Sequence, residues 1–550
     1  MTKSGILRSV LLALALIPVV LFFYYIPSHS FPSEDSAMLF QYSENLSESG
    51  CISYNLDGAR TEGATDFLWM IILSICHSIG LDTYLSATAL SAIALIASAY
   101  MLFHISGKSR PMLLPLALLT LLAVPQVFAA IQGFSPLFFG TFILLAMVGF
   151  IEKRPILTFF AAILTCLIRP DGVVFAMPLV ATFLIVNKSK IKQNIIKVLL
   201  IAVIPGVAYF AWRFTYFDSL LPLPFYVKSN FPRFAGIFSL ESLKLNSLFF
   251  AALAPLLVFA SYGIRAAGKK EQSLVVTAAI SLLVVPFLFY SAMHLEQNLA
   301  YRFQYPFVLI SLALAAYGLK HAPRPAYGWL AVISSIGLML PWYAVECVRT
   351  LSMPSENIPY LSKALQNLPC HGTIATTEAG RLPYYSDWET IDLWGLNTKE
   401  LSQTLVTPKD IQSYNSDLIV IHPLGGDYGD DYRFIMQDQV AVHTERSWQN
   451  MVDNTYAGTK LGDYQLLMVP HMTTNIIGNP FAWVVPTRKN IQAKLGYAGS
   501  FDTYYAFFIR RDSECFNALA KMLDEFGAID FENYTKQKQA FSTTCKSGEE

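Results

Sequence analysis

The chain has 550 residues, of which 54% are hydrophobic and only 14% charged, and its basic and acidic residues cancel to a formal charge of +0. Soluble globular chains carry roughly 25% charged residues, so this composition reads as a polytopic membrane protein and gives no electrostatic case for nucleic acid. The seven cysteines form no zinc-type spacing, and no GxxxxGK[ST], HExxH or convincing GxGxxG occurs. That argues against a nucleotide motor, a zinc protease and a dinucleotide enzyme.

Apolar runs of spanning length begin near residues 6, 84, 111, 136, 156, 171, 198, 247, 273, 302 and 328, which predicts about eleven transmembrane helices. The first follows MTKSGILR and lacks an A-x-A-like cleavage site, so it reads as a retained helix. The segment 65–80 is too short to span: about 15 residues rise only ~22 Å against a ~30 Å core. With that segment at the interface, the basic clusters at Lys3/Arg8, Lys108/Arg110, Lys153/Arg154, Lys188–Lys197, Arg265–Lys270 and Lys320–Arg324 fall on one side. The positive-inside rule makes that side cytoplasmic. The N-terminus is then cytoplasmic, and the loop 27–83 is exoplasmic.

That loop carries seven acidic residues between Phe31 and Met70, beginning with the adjacent pair Glu34 and Asp35. Met38, Leu39, Tyr42 and Leu46 share one helical stripe, which predicts an interfacial helix with Asp35 at its start, where an N-cap is the plain reading. After about residue 345 no spanning run remains. GTIATTEAG, ETIDLWGL and SDLIVIHP read as short strands among polar helices, giving a soluble exoplasmic α/β domain over 346–550. Residues 1–345, with the 27–83 loop, form the predicted membrane domain. Cys51, Cys370, Cys515 and Cys545 lie on the side where disulfides are allowed, and their pairing is open.

Further ionisable residues gather at the same leaflet: Arg60 and Glu62, Arg169 and Asp171 in IRPDGV, Lys228 in LPLPFYVKSN, and His294 and Arg302 in SAMHLEQNLAYRF. A lone cation at a membrane edge is usually an interfacial anchor. Several on one leaflet beside a carboxylate pair suit a different task. Arg and Lys bind a lipid phosphate by charge-assisted hydrogen bonds, and a carboxylate can take a proton from an acceptor hydroxyl. Structural alternatives stand beside this: Arg60 and Glu62 bracing the loop, Asp171 capping the next helix, and Trp388, Trp394, Tyr384 and Tyr385 as core rather than a sugar-stacking surface.

The stretch SEDSAMLFQYSENLSESGCISYNLDGARTEGATDFLWM resembles the first exoplasmic loop of bacterial GT-C-type glycosyltransferases, with Tyr42, Asn45, Tyr54, Asn55, Gly58, Arg60, Glu62 and Gly63 among the matching positions. RPDG at 169–172, LLPLPFYVKSN, YRFQYPFV and EAGRLPYYSDWETIDLWGLN resemble further family segments. The resemblance is nearest to the cell-wall arabinofuranosyltransferase-like branch. It implies a GT-C fold and one inverting displacement on a polyprenyl-phosphate sugar, possessing Asp35 as base, Glu34 in support, and Lys228, Arg169 and Arg302 on the donor phosphate. The acceptor would be a cell-envelope glycan, lipid or protein. No cofactor is demanded, although Glu34 and Asp35 could share a divalent cation (Mg2+, Mn2+ or Ca2+). Two positions depart from the pattern: Glu34 stands where Asp is usual, and Ser135 where the family often has Glu. The rivals are a flippase of lipid-linked glycans and a protein glycosyltransferase or glycan ligase of the same architecture.

Overall fold

In a computed structural model the described residues are 3–107, 112–229, 239–293, 295, 298–422, 442–471, 504–531 and 533, with side chains from residue 10 and without those of Ser229 and Ser355. They form two compact units: Met1–Ser30, Ala64–Leu220 and Gly236–Thr350 in one, and Phe31–Gly63, Leu221–Ala235 and Leu351–Glu550 in the other. The loop 27–83 is thus divided. Sequence reading assigned 27–83 to the membrane domain, whereas Phe31–Gly63 folds with the C-terminal segment.

The first unit is a helical bundle. Seven helices among the described residues are long and apolar enough to cross a membrane, from Val10–Ser28 to Ala326–Ser352. Four shorter apolar helices, Leu113–Leu122, Pro136–Ile151, Pro155–Ile168 and Pro170–Val186, complete the set of predicted runs. Phe67–Ser78 has 12 residues, about 18 Å of rise against a ~30 Å core, and Leu113–Leu122, with 10, is shorter still. Local chemistry sets the ends. Asp82 caps Thr83–Ile105 by accepting the Leu85 N–H at 2.7 Å, and Ser239 caps Leu240–Ile264 through the Ser242 N–H. Helices Leu240–Ile264 and Tyr305–His321 pack backbone to backbone. A Cβ at Gly263 would lie 2.2 Å from the Gly318 carbonyl oxygen, the small-residue contact on which helix packing in lipid relies.

The second unit is an α/β body. Its sheet has the order β2-β1-β3-β5-β4-β6: β1 Thr373–Thr376, β2 Glu389–Asp392, β3 Leu418–Ile421, β4 Tyr464–Pro470, β5 Tyr504–Arg510 and β6 Ile529–Asp530. β1 pairs with β2 and β3 in parallel, while β3, β5, β4 and β6 pair antiparallel. β3 lies inside the sheet and is buried along its whole length, so it reads LIVI without alternation. Cys370 and Cys515 are disulfide-bonded across 145 residues, and Cys51 is free; Cys545 lies outside the described residues.

The helix Glu34–Ser49 belongs to this body. Met38, Phe40 and Tyr42 are buried, whereas Leu39 and Leu46 of the predicted stripe are only partly buried. Tyr42 donates to Asn397 Oδ1 at 3.1 Å and accepts the Gly63 N–H at 3.0 Å. The Asn45 amide donates to the Ser53 and Tyr54 carbonyls, and Tyr54 donates to the Ala379 carbonyl at 2.7 Å. Asn55 exchanges two hydrogen bonds with the Thr390 backbone. Many of the positions that carry the sequence resemblance are therefore the fastenings of the loop to the sheet.

Candidate active site

Inside the bundle, the break between Pro155–Ile168 and Val173–Val186 falls at RPDG. Pro170 ends the first helix, and Gly172 is required because a Cβ there would meet the Thr165 carbonyl oxygen at 2.4 Å. This turn projects Arg169, 8% exposed, and Asp171. Arg169 Nε and Nη2 donate to the two Asp171 oxygens at 2.9 Å each, and Asp171 also accepts the Tyr290 hydroxyl at 2.5 Å. Asp171 is not a helix cap: no side chain caps Val173–Val186. The bidentate pair uses two of five guanidinium donors.

Arg302 reaches the same cluster from a short 3-10 segment, Leu299–Gln304. Its guanidinium carbon lies 5.5 Å from the Phe303 ring centroid, and that of Arg169 lies 4.9 Å from the same ring. Phe134 and Phe139 flank the two cations from further sides. The backbone just before is strained: Ala300 and Tyr301 have φ of 48° and 57°, the left-handed region that side chains disfavour. Such strain persists where surrounding structure holds it, and it clusters at functional sites.

A residue that sequence reasoning missed joins this group. Asp66 occupies the N-cap position of Phe67–Ser78 yet makes no capping bond. Its carboxylate instead accepts the Ser135 hydroxyl at 2.5 Å and lies within electrostatic reach of Arg169, Asp171 and Arg302. Ser135 is the position where the family pattern has Glu. A carboxylate there would oppose Asp66, whereas a hydroxyl donates to it. The available signal was an acidic residue directly before an apolar helix, hidden among the loop's other acids.

The acidic pair lies in the other unit. Ser33, not Asp35, is the N-cap of Glu34–Ser49: its hydroxyl accepts the Ser36 N–H at 3.3 Å. Asp35 is partly buried in the first turn. Glu34 is committed elsewhere. Its Oε1 accepts the Gly380 and Arg381 N–H groups at 2.6 and 3.1 Å, and its Oε2 accepts Arg381 Nε–H at 3.0 Å. Gly380 permits the approach, since a Cβ there would sit 2.0 Å from the Glu34 carbonyl oxygen. Burial, reinforced by Glu378 and opposed by Arg381, pushes the Glu34 carboxyl up to about 7.

Arg381 also pairs with Glu356 at 2.5 Å, and Glu378 pairs with His422. Burial alone would raise Glu378, but His422 and Arg381 outweigh it and hold the carboxyl below its ordinary 4.5. Burial would lower His422, and Glu378 outweighs that to hold the imidazole above 6.5. Burial takes His471 down to about 4. Glu378 and His422 follow the ends of the parallel strands β1 and β3, where the chain order reverses and α/β sheets place their sites.

The remaining predicted residues are dispersed. Lys228 is exposed on the helix Leu223–Ser229, so Pro222 and Pro224 begin a helix instead of fixing an extended approach. Arg60 is exposed and bridges Ser53. Glu62 is 8% exposed, and its carbonyl accepts the Leu223 N–H. His294 lies outside the described residues. No group of three or more His, Cys, Asp or Glu that could hold a metal occurs among the described residues. Because Arg381 and backbone N–H groups take both Glu34 oxygens, Glu34 and Asp35 do not fit as a shared cation site. Trp388 is 2% exposed and Trp394 packs on Trp448, which is core packing.

The domain family "Domain of unknown function (DUF8728)" matches residues 357–467. No curated protein sequence matches the chain. Among solved structures, ArnT from Cupriavidus metallidurans bound to undecaprenyl phosphate superposes with a TM-score of 0.52 at 14% identity, covering 77% of this chain and 94% of that one. Apo ArnT gives 0.54 at 13% identity with the same coverage. At this identity the likeness is one of fold: a polytopic GT-C-type helical membrane protein with a C-terminal α/β domain.

Proposed function

We propose that the protein is a membrane glycosyltransferase that moves a sugar from a polyprenyl-phosphate donor to a cell-envelope glycan, lipid or protein on the exoplasmic face. The sequence resemblance points to arabinofuranose and to inversion at the anomeric carbon. The observation that carries the reading is the gathering of Arg169 and Arg302 around Phe303 beside Asp66, in a fold shared with a protein that binds undecaprenyl phosphate. Asp171 and Asp66 balance the two guanidiniums, and Arg169 keeps donors beyond the two given to Asp171, which suit a phosphate oxygen. In transfer, the acceptor hydroxyl oxygen bonds to the anomeric carbon as the bond to the phosphate oxygen breaks. The hydroxyl proton goes to a carboxylate and the electron pair to the departing polyprenyl phosphate, whose growing charge Arg169, Arg302 and Lys228 stabilise.

Asp35 is the proposed base, and Glu34 positions the helix that carries it. A second reading makes Asp66 the base, favoured by its place in the arginine cluster. Transfer assays with polyprenyl-phosphate sugars separate the two. Asp35→Asn should fold normally and slow transfer at least about 100-fold, the low end of what general-base loss costs. If Asp66→Asn alone causes that loss, the base is Asp66; if neither does, the glycosyltransferase reading falls. The topology that accompanies this reading is a cytoplasmic N-terminus and an exoplasmic C-terminal domain in the bacterial inner membrane.

A further inference from the structure

A polar cavity of about 430 Å³ lies among the basic connections of the helical bundle, a region the proposed transfer chemistry does not use. Lys153, Lys190, Lys197, Lys270, Asn187 and Asn194 line it, and no acidic residue does. The two acids adjacent in sequence are engaged elsewhere. Glu152 binds His104 and Arg154, and Glu271 accepts the Tyr317 hydroxyl at 3.2 Å. Asn194 is 3% exposed, so amide donors stand at the cavity wall as well as ammonium groups.

Two further features fit an anion. The helices Pro155–Ile168 and Lys269–Ala292 both begin at this cavity, through Pro155 and Lys270, and helix N-termini carry partial positive charge with unsatisfied N–H groups. Lys153 adopts φ of 57°, a left-handed position where Gly or Asn is the usual residue. A lysine kept there at a cost in backbone strain places a cation at the cavity's edge. Phe183 and Leu274 form an apolar wall beside these groups. Four lysines without an acid repel one another, and binding a phosphate group removes that repulsion.

We propose that this cavity binds a phosphate group, presented as the headgroup of an anionic phospholipid from the leaflet that the basic connections face. Basic pockets between helix ends with an apolar wall suit such a headgroup, because the acyl chains continue along apolar surface. Free phosphate or pyrophosphate shares the recognised chemistry, and the test distinguishes the sources.

The experiment uses the full-length purified protein in detergent, titrated with phosphatidylglycerol or phosphatidylcholine and read by native mass spectrometry. Phosphatidylglycerol should bind more tightly than phosphatidylcholine. Lys190→Gln/Lys197→Gln should weaken it about 30-fold, taking roughly 5-fold per lysine, while Lys190→Arg/Lys197→Arg retains most of the affinity. Lys192→Gln removes a charge from the same segment outside the cavity lining and should change binding less than about 2-fold. Displacement of the lipid by millimolar phosphate or pyrophosphate would assign the site to a soluble phosphate; failure to displace assigns it to the lipid. Equal binding of both lipids with no phosphate binding, or equal losses in Lys192→Gln and the double variant, overturns the proposal. A melting temperature measured without added anion shows that the double variant is folded.

Discussion

Two carboxylate–guanidinium pairs among the described residues, Arg169–Asp171 and Arg381–Glu34, are built by opposite means. In the bundle, Arg169 and Asp171 are two residues apart, and one turn makes the pair. In the C-terminal unit, Glu34 and Arg381 are separated by 347 residues, and nothing near either residue announces the other. In the proposed reaction the local pair presents a cation to the donor phosphate while Asp171 takes only two of the Arg169 donors. The distant pair joins a loop helix to a sheet and spends the Glu34 carboxylate in doing so. A charge that looks catalytic in sequence can thus be a fastening, and the number of hydrogen bonds it makes to backbone N–H groups tells the two uses apart.

Breaking the distant pair from the arginine side should have the largest effect on stability. Arg381→Ala leaves Glu34 and Glu356 without their buried partner and removes a charge that steadies Glu378. A loss of about 3–5 kcal/mol is expected, the range for stranding a buried charge, and chemical denaturation of the purified protein measures it. A loss under about 1 kcal/mol would show that the pair is only a surface contact. The covalent counterpart of this long-range link comes next: Cys370→Ser/Cys515→Ser should cost roughly 2–5 kcal/mol and make the C-terminal unit sensitive to protease.

The local pair is better tested by chemistry than by stability. Arg169→Lys keeps the charge but loses the bidentate fork. Donor-dependent transfer should fall roughly 10-fold or more, which corresponds to one charge-assisted contact, with little change in the melting temperature. If the melting temperature collapses while transfer by the surviving protein is normal, Arg169 is structural.

The smallest effect sharpens the comparison through pH. Glu34→Gln preserves an acceptor for the Gly380 and Arg381 N–H groups, so it should cost about 1 kcal/mol. Glu34 has a folded value of about 7 against an ordinary 4.5, and His422 is also raised. Both favour the fold most when protonated. Their contribution is complete below the ordinary value of each group and is lost as pH rises through the folded one. Glu378, held low, acts in the opposite sense and loses its contribution only as pH falls below 4.5. His471, held by burial at about 4, acts in the opposite sense up to its ordinary 6.5 and offsets Glu34 there. The C-terminal unit should therefore lose stability mainly as pH rises above about 6.5, and Glu34→Gln should shift the whole profile toward a rise with pH between about 4.5 and 7. A wild-type melting temperature that rises as pH climbs above about 6.5 would contradict the assignment.

The sequence by itself determined the bundle. Hydropathy is a property of consecutive residues, and a helix satisfies its own backbone, so the starts of the apolar runs and the non-spanning 65–80 segment could be read directly. It determined β1, β2 and β3 as short strands, and it placed a break in the apolar run at RPDG, without the Arg169–Asp171 pair that forms there. Tertiary structure alone decided the rest. Ser33 took the cap expected of Asp35, since capping depends on where the first helical turn begins. Glu34 was claimed by a turn more than 300 residues away, and Phe31–Gly63 folded with the C-terminal segment because Tyr42, Tyr54 and Asn55 find their hydrogen-bond partners there. Asp66 became conspicuous only when Ser135 and Arg169 were brought to it. Such partnerships depend on long-range approach, and a buried polar group must find its partner wherever the chain supplies one.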